Sequence, residues 1–308
     1  MSFKMREGLK RIRWKWLISR LLIALLLLWI IGDVTWVILS FHPPRLPLLR
    51  SPVDLNLKYE EVNFVTEDGV KIAAWFIPAD KSNDTRCTIT VCHGYPGNRS
   101  RFIDIVPALH RAGFSVLMFD FRGNGESTGR TTIGRKEVND LNSAIKWLCE
   151  SKPNSSLGIG VIGFSMGGAV AIMAAARNKA IKAVVSDSAY ASLDRPAELT
   201  LKRTFGLLAP ILGVPARITF RLMLGCNPKD VAPYRLIHLI SPRAVFIIHG
   251  DADVKVSVED AKLLYESARH PKELWIGHGI GHVKMFVRHR DEYERRVVNF
   301  FKRYIITK

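Results

Sequence analysis

One stretch near the middle of the chain constrains its folding more than any other. Residues 158–169 form an apolar run that leads through the pattern G-x-S-x-G into a segment rich in small residues. Such a passage predicts a buried strand, a sharp turn at Ser165 and a buried helix. Gly163 and Gly167 leave room for that turn, because side chains two residues on either side of the serine would collide. We therefore expect Ser165 at a helix N-terminus, where backbone N–H groups favour negative charge.

The basic character of the chain is concentrated at its start. The formal net charge is +17, and the first 20 residues hold seven lysines and arginines against one glutamate. The remaining positive charge is spread thinly and forms no basic–aromatic cluster, which argues against nucleic-acid binding. The four cysteines show no C-x-x-C spacing, so neither a disulfide framework nor a zinc site is expected.

A long apolar run begins within the basic segment. Residues 17–39 are apolar at all but five positions, and at about 1.5 Å per residue they cover the roughly 30 Å hydrocarbon core of a bilayer. A cleaved secretory signal is the alternative, but its apolar region spans only about 7–15 residues and ends at small residues. We therefore predict an uncleaved transmembrane anchor, with Asp33 in its outer half and Arg20 extended towards its basic end.

The anchor divides the chain into predicted parts. Residues 1–16 form a basic tail, 17–39 the transmembrane helix, 40–56 a stiff, proline-rich tether and 57–308 a large folded domain. The positive-inside rule predicts a cytoplasmic N-terminus and a folded domain on the opposite side, which is periplasmic, extracellular or lumenal. The bilayer is thus one expected partner.

Strand and helix patterns alternate after a predicted hairpin at residues 61–77. Strands are predicted at 88–92, 115–119, 159–164, 181–185, 243–249 and 273–276, and helices at 99–112, 135–150, 166–178, 257–268 and 285–304. This alternation predicts an α/β fold with a mainly parallel central sheet and helices on both faces. Residues 190–240 carry helical patterning without a strand. This pattern predicts a lid insertion whose apolar surface lines an acyl pocket or touches the bilayer. The alternative is that the apolar surface serves only to pack these helices together.

Two further residues complete a candidate catalytic set. Asp253 follows one predicted strand, and His282 lies in a glycine-rich loop after the last one. A serine nucleophile needs a base to accept its proton and a carboxylate to orient that base. The order Ser165, Asp253, His282 matches one of the known chain orders for such triads. Asp251, in the same motif, and Asp187, after another predicted strand, are alternative acids, and His278 and His289 are alternative bases.

The surrounding motifs resemble those of the α/β-hydrolase superfamily, near its membrane-anchored esterase and serine-aminopeptidase-like branches. The resemblance covers about residues 57–305 and includes the segments at 93–98, 120–127, 249–256 and 279–282. It implies an oxyanion hole formed by the backbone N–H groups of Tyr95 and Met166. It also implies a structural role for the 120–127 segment, while His93 is expected to brace the oxyanion loop.

These features predict a serine hydrolase that cleaves carboxylic esters or thioesters of apolar, lipid-like acyl substrates through an acyl-enzyme. The chemistry requires no metal and no organic cofactor. A peptidase or amidase of the same fold is the first alternative, and it would need an acidic pocket for a free amino terminus. A non-catalytic, membrane-tethered binding protein is the second. The sequence does not define an oligomeric state.

Overall fold

The computed structural model describes the backbone of residues 3–306 and the side chains of residues 14–306. Within that range, eight strands form one sheet in the order β1-β2-β4-β3-β5-β6-β7-β8. The strands are β1 Glu60–Val65, β2 Lys71–Ile77, β3 Cys87–Cys92, β4 Ser115–Phe119, β5 Gly158–Phe164, β6 Ile181–Asp187, β7 Ala244–Gly250 and β8 Lys272–Gly277.

The sheet is parallel except at one edge. Strand β2 pairs antiparallel with β1 and β4, and every other neighbouring pair is parallel. Strands β3, β4, β5 and β7 are buried along their whole length. Their continuous apolar runs fit strands that helices cover on both faces. The predicted α/β architecture is therefore confirmed.

Eleven α-helices are found among the described residues. They are α1 Phe3–Ser40, α2 Val106–Arg111, α3 Glu137–Ser151, α4 Met166–Arg177, α5 Asp194–Phe205, α6 Ala209–Leu212, α7 Val214–Leu224, α8 Pro233–Leu236, α9 Val258–Ser267, α10 Met285–Arg288 and α11 Arg290–Ile305. Helices α5–α8 occupy most of residues 190–240, which we call the insertion. The first helix contains one stretch, Trp14–Ser40, that is long and apolar enough to cross a membrane.

Two predicted helices are interrupted. The segment predicted as one helix at 99–112 is a 3-10 helix, Arg99–Ile105, followed by α2. Phe102 has a non-helical backbone, and Pro107 starts the new helix because proline is favoured in a first turn. The last predicted helix divides at His289, whose φ of −130° and ψ of 45° lie outside the helical region.

The C-terminal part of α1 packs on the insertion. Phe41, just beyond the helix, is fully buried, and its ring centroid lies 5.3 Å from that of Phe220 in α7. Asp33 Oδ2 accepts a hydrogen bond from the N–H of Ala216 at 3.0 Å. The buried carboxylate of Asp33 thus has a hydrogen-bond donor in the first turn of α7, where free N–H groups are available.

The proline-rich segment at 40–56 lies along the rest of the protein. Arg45 donates hydrogen bonds to the carbonyl oxygens of Gly125 and Ser127 at 2.9 and 2.8 Å. The Asn98 amide donates to the carbonyl oxygen of Leu46 at 2.9 Å. These contacts pack residues 45–46 against the loops that follow β3 and β4. The role of the segment as a tether from the bilayer stays a prediction.

Candidate active site

Ser165 occupies a strained turn between β5 and α4. Its φ of 54° and ψ of −118° are unusual for a residue with a side chain. A Cβ on Gly163 would lie 2.2 Å from the carbonyl oxygen of Gly167, and one on Gly167 would lie 2.4 Å from that of Cys92. Both positions therefore require glycine, and the turn presents Ser165 Oγ at the carboxyl edge of the sheet.

The three residues predicted as a triad are joined by hydrogen bonds. Ser165 Oγ lies 2.9 Å from Nε2 of His282, and Nδ1 of His282 lies 2.6 Å from Oδ2 of Asp253. The Asp253 side chain is fully buried, whereas that of His282 is 15% exposed. In the tautomer that a general base requires, Nδ1–H of His282 donates to Asp253, and Nε2 is free to accept the serine proton.

Asp253 is held as a carboxylate. Burial by itself would raise the pKa of Asp253, but hydrogen bonds from His282 and from the backbone outweigh burial and lower it. The N–H groups of Lys255 and Val256 donate to Oδ1 at 2.7 and 3.0 Å. Oδ2 therefore remains available to orient the imidazole.

Two of the alternative residues pair with each other instead. Nδ1 of His278 lies 2.9 Å from Oδ2 of Asp251, and the His278 side chain is 92% exposed. The third alternative, His289, has its ring centroid 6.0 Å from that of Trp275. The hydrogen bonding thus places His282 and Asp253, rather than these residues, beside Ser165.

Asp187, the other alternative acid, lies at the end of β6 and is fully buried. It accepts hydrogen bonds from the hydroxyls of Ser188 at 2.8 Å and Tyr293 at 2.9 Å. Burial raises the pKa of Asp187 to about 6. Asp187 is therefore bonded to hydroxyl groups, while Asp253 holds His282.

Ser188 has a role that the sequence reasoning missed. Its hydroxyl accepts a hydrogen bond from the N–H of Val283 at 3.1 Å, while donating to Asp187. Val283 follows His282 directly, so this contact fixes the loop that carries the imidazole. Ser188 directly follows a strand of the parallel sheet, and residues at such positions lie at the edge where ligands bind. That position could have identified Ser188 from the sequence.

The loop after β3 approaches the serine closely. A Cβ on Gly94 would lie 3.2 Å from Cβ of Ser165, so the adjoining Tyr95 peptide lies beside the nucleophile. Met166 is the first residue of α4, where an N–H has no partner within the helix. Within residues 3–306, neither N–H donates a hydrogen bond to the protein. Both groups are thus available to an oxyanion.

His93 braces that loop from below. Its Nδ1–H donates to the carbonyl oxygen of Gly94 at 2.6 Å, and its Nε2 accepts from the N–H of Phe121 at 3.0 Å. Burial lowers the pKa of His93, which keeps the ring neutral and both contacts intact. The imidazole therefore connects the loop after β3 with the loop after β4.

The charged residues of the 120–127 segment make structural contacts. Asp120 accepts from the N–H groups of Arg99 and Glu126 at 2.6 and 2.9 Å. Arg122 pairs with Asp140 at 2.6 Å, a partner that the sequence did not reveal. Among the side chains of residues 14–306, no cluster of three or more His, Cys, Asp or Glu residues has the geometry to hold a metal ion.

Two cavities adjoin at Tyr95. A cleft of about 760 Å³ contains Ser165 and His282, and its lining includes charged side chains. A more apolar cavity of about 470 Å³ lies between α1 and the insertion. Tyr95 lines both, and its hydroxyl donates a hydrogen bond to the carbonyl oxygen of Ser40 at the end of α1. The candidate site is thus linked to the N-terminal helix.

Known proteins show the same organisation. A sequence-family model for the alpha/beta hydrolase fold matches residues 88–209. Protein YqkD of Bacillus subtilis is 30% identical over 222 residues, covering 71% of this chain and 72% of its own. Protein YfhR of Escherichia coli O157:H7 is 29% identical over 246 residues, covering 78% and 80%.

A solved structure extends the comparison. The Pyrococcus furiosus esterase Pf2001 superposes with a TM-score of 0.71 at 33% identity, covering 85% of this chain and 99% of that protein. The chain belongs to the α/β-hydrolase fold family.

Proposed function

We propose that this α/β hydrolase is a membrane-anchored serine hydrolase that cleaves carboxylic esters or thioesters of apolar acyl groups. The hydrogen-bonded series Ser165–His282–Asp253 is the observation that carries the proposal. Two available N–H groups beside the serine add to it, since acyl transfer requires stabilisation of an oxyanion. The 33% identity to an esterase further supports ester hydrolysis.

The arrangement supports a two-step reaction. Ser165 Oγ attacks the acyl carbonyl as its proton passes to Nε2 of His282, while Asp253 stabilises the imidazolium. The N–H groups of Tyr95 and Met166 stabilise the tetrahedral oxyanion, and each such donor contributes about 2.7–4 kcal/mol in well-studied enzymes. His282 then protonates the departing alcohol or thiol. Water, deprotonated by the same imidazole, releases the carboxylic acid from Ser165.

The cavity beneath the insertion suits an acyl chain. Its walls come from Trp36 and Val37 of α1 and from apolar residues of the insertion, including Leu201 and Phe220. Tyr95 also lines it, so the cavity begins beside one of the proposed oxyanion donors. Burial of each methylene there is favourable by about 0.8 kcal/mol, which would favour longer acyl chains until the cavity is full.

The exposed surface of α1 and the insertion supports membrane attachment. The Trp14–Ser40 stretch contains an 18-residue segment with a mean hydropathy of 2.5, and the guanidinium of Arg20 lies 3.4 Å from the ring centroid of Trp16 towards the basic end. Large apolar side chains of the insertion are also exposed: Leu207, Leu208, Ile211, Val214, Ile218 and Leu222. Val214, Ile218 and Leu222 are spaced four residues apart and so share one face of α7, and an exposed apolar helix face is unusual on a protein surrounded by water. We place it against the outer leaflet, with the N-terminus cytoplasmic.

The surroundings of the serine do not favour the peptidase alternative. Recognition of a free amino terminus needs several unpaired carboxylates. Glu198 of the insertion pairs with Arg217 at 2.6 Å, and among the acidic residues that line the two cavities only Asp194 forms no ion pair within the described side chains. The cleft around Ser165 is lined instead by cations. The assembled triad weighs against a non-catalytic binding protein.

Covalent labelling tests the proposal. The full chain, extracted in neutral detergent, is treated with a fluorophosphonate that reacts with activated serines. Ser165→Ala removes the nucleophile and His282→Ala the base, so both variants should lose labelling, the latter by at least about 10³-fold in rate. His278→Ala is the matched control, because that exposed histidine pairs with Asp251.

Substrate turnover then separates the alternatives. Ester and thioester series of increasing acyl length are compared with the corresponding amides and with small peptides. The proposal requires ester or thioester turnover above amide turnover, rising with chain length. Labelling that survives Ser165→Ala would refute the site, and faster amide turnover would favour a peptidase.

A further inference from the structure

Three cations converge on the cleft that contains Ser165. Arg101, Lys255 and Lys284 all line it, and each is exposed to solvent. They come from three separate segments of the chain. Lys255 follows Asp253 by two residues, Lys284 follows His282 by two, and Arg101 lies in the 3-10 helix after the oxyanion loop. Each cation is thus carried by a segment that also forms the catalytic site.

Among the side chains of residues 14–306, no carboxylate lies within ion-pair distance of these three cations. The acidic residue that lines the cleft, Asp104, is paired at 2.6 Å with Arg50 from the proline-rich segment. Arg290 also lines the cleft, but Glu294 lies 3.0 Å from it. Within the described side chains, Arg101, Lys255 and Lys284 form no ion pair. The cleft therefore carries excess positive charge beside the nucleophile.

Exposed lysines are commonly no more than a solvated surface. Here the charges lie in one concave site, where low-dielectric walls concentrate their field. The adjoining cavity, by contrast, is lined largely by apolar groups. The two cavities therefore suit two ends of an amphiphilic substrate, with the scissile carbonyl between them at Tyr95 and Ser165.

We propose that the substrate carries a phosphate group on its alcohol or thiol portion, and that Arg101, Lys255 and Lys284 bind this phosphate. Phosphate is favoured because it carries up to two charges and three oxygens, which suits several cations at once. The proposal rests on the proposed function, since it assigns the leaving portion of the same acyl substrate to the basic cleft and its acyl chain to the apolar cavity.

Short soluble substrates test this without a lipid surface. The full chain in neutral detergent is given the butanoyl ester of glycerol and the butanoyl ester of glycerol phosphate. We expect the wild type to prefer the phosphate ester in kcat/KM by about tenfold at low ionic strength, because each exposed charge pair contributes about 0.2–1 kcal/mol. The preference should fall as added salt screens the charges.

Replacing all three cations by glutamine should remove this preference. Arg101→Gln/Lys255→Gln/Lys284→Gln is expected to lower kcat/KM about tenfold more for the phosphate ester than for the neutral one, mainly through KM. Lys146→Gln is the control, because Lys146 is exposed on α3 and does not line the cleft. It should retain the wild-type preference.

The outcomes distinguish the two proposals. Wild-type turnover of both esters at equal efficiency, or an unchanged preference in the triple variant, would overturn the phosphate site alone. A carboxylate-bearing ester cleaved as efficiently as the phosphate ester would overturn the choice of phosphate. Absence of turnover of every ester, together with absence of serine labelling, would instead refute the proposed hydrolase.

Discussion

The carboxylate of Asp33, within the apolar N-terminal helix, accepts a hydrogen bond from the backbone N–H of Ala216 at 3.0 Å. In the proposed transmembrane span of residues 17–39, Asp33 is 16 residues beyond Leu17, or about 24 Å along a helix axis, which corresponds to the outer half of the span. Ala216 is in the first turn of α7. A residue that would be costly in lipid thus attaches the insertion to α1.

Removing this acceptor should loosen α7. Asp33→Ala leaves an N–H of the first helical turn without its partner, at a cost of about 1 kcal/mol as for other lost N-terminal caps. Hydrogen exchange across residues 214–224 of the detergent-extracted protein should then accelerate by about fivefold. Asp33→Asn keeps an acceptor oxygen and should exchange nearly as the wild type. Equal exchange in the alanine variant would show that the contact does not hold α7.

A second contact joins α1 to the candidate oxyanion hole. The Tyr95 hydroxyl donates to the carbonyl oxygen of Ser40, and burial raises the pKa of Tyr95 to about 12, so the proton stays in place. Tyr95→Phe keeps the backbone N–H but loses this hydrogen bond, worth about 1 kcal/mol. We expect fluorophosphonate labelling of Ser165 to slow by up to about fivefold.

The control for this prediction is Tyr59→Phe. Among the described residues, the hydroxyl of Tyr59 donates a hydrogen bond only to the exposed Glu61, at 3.5 Å, so the labelling rate should stay at the wild-type value. A wild-type labelling rate in Tyr95→Phe would mean that the loop after β3 keeps its position without the hydrogen bond to Ser40. A loss of folded protein in that variant would be detected by thermal unfolding before the rates are compared.

The parts that the sequence predicted are those that local pattern and sheet topology determine. The turn at Ser165 follows from two glycines and an apolar strand, and parallel strands bring Asp253 and His282 to the same edge. Composition and spacing thus located both the fold and the candidate triad.

The parts that it did not predict depend on contacts between distant segments. Nothing in the prolines of residues 40–56 indicated that Arg45 would bond to Gly125, 80 positions away. The contact between Ser188 and Val283 is likewise visible only once the loops are placed. The basic cleft was not predicted for the same reason. Its three cations are single residues on separate segments of the chain, which only the fold brings together.

Asp187 should make stability depend on pH. Its pKa is about 6 in the folded chain against about 3.9 when unfolded, so between these values the folded state binds more protons. Its contribution to the free energy of unfolding therefore falls as pH rises from 4 to 6, by up to about 3 kcal/mol. Asp187→Asn removes this titration. The difference in Tm, variant minus wild type, should become more positive between pH 4.5 and 7.5, and a constant difference would contradict the prediction.

The apolar face of the insertion should lie in lipid. Leu207 is 99% exposed, and its neighbours Leu208 and Ile211 are also exposed, which costs free energy in water. A polarity-sensitive dye on a cysteine at position 207, in a Cys149→Ser/Cys226→Ser background, should shift to shorter wavelength when the protein moves from a solubilising amphipol to vesicles. A dye at Leu157, which is 52% exposed and directly precedes the amino end of β5, away from the carboxyl edge that holds Ser165, is the control. The dye at position 157 should report an aqueous environment both in amphipol and in vesicles. An aqueous signal at position 207 in vesicles would show that this part of the insertion lies outside the bilayer. Because α1 and the insertion form the walls of the acyl cavity, the cavity would then open to water.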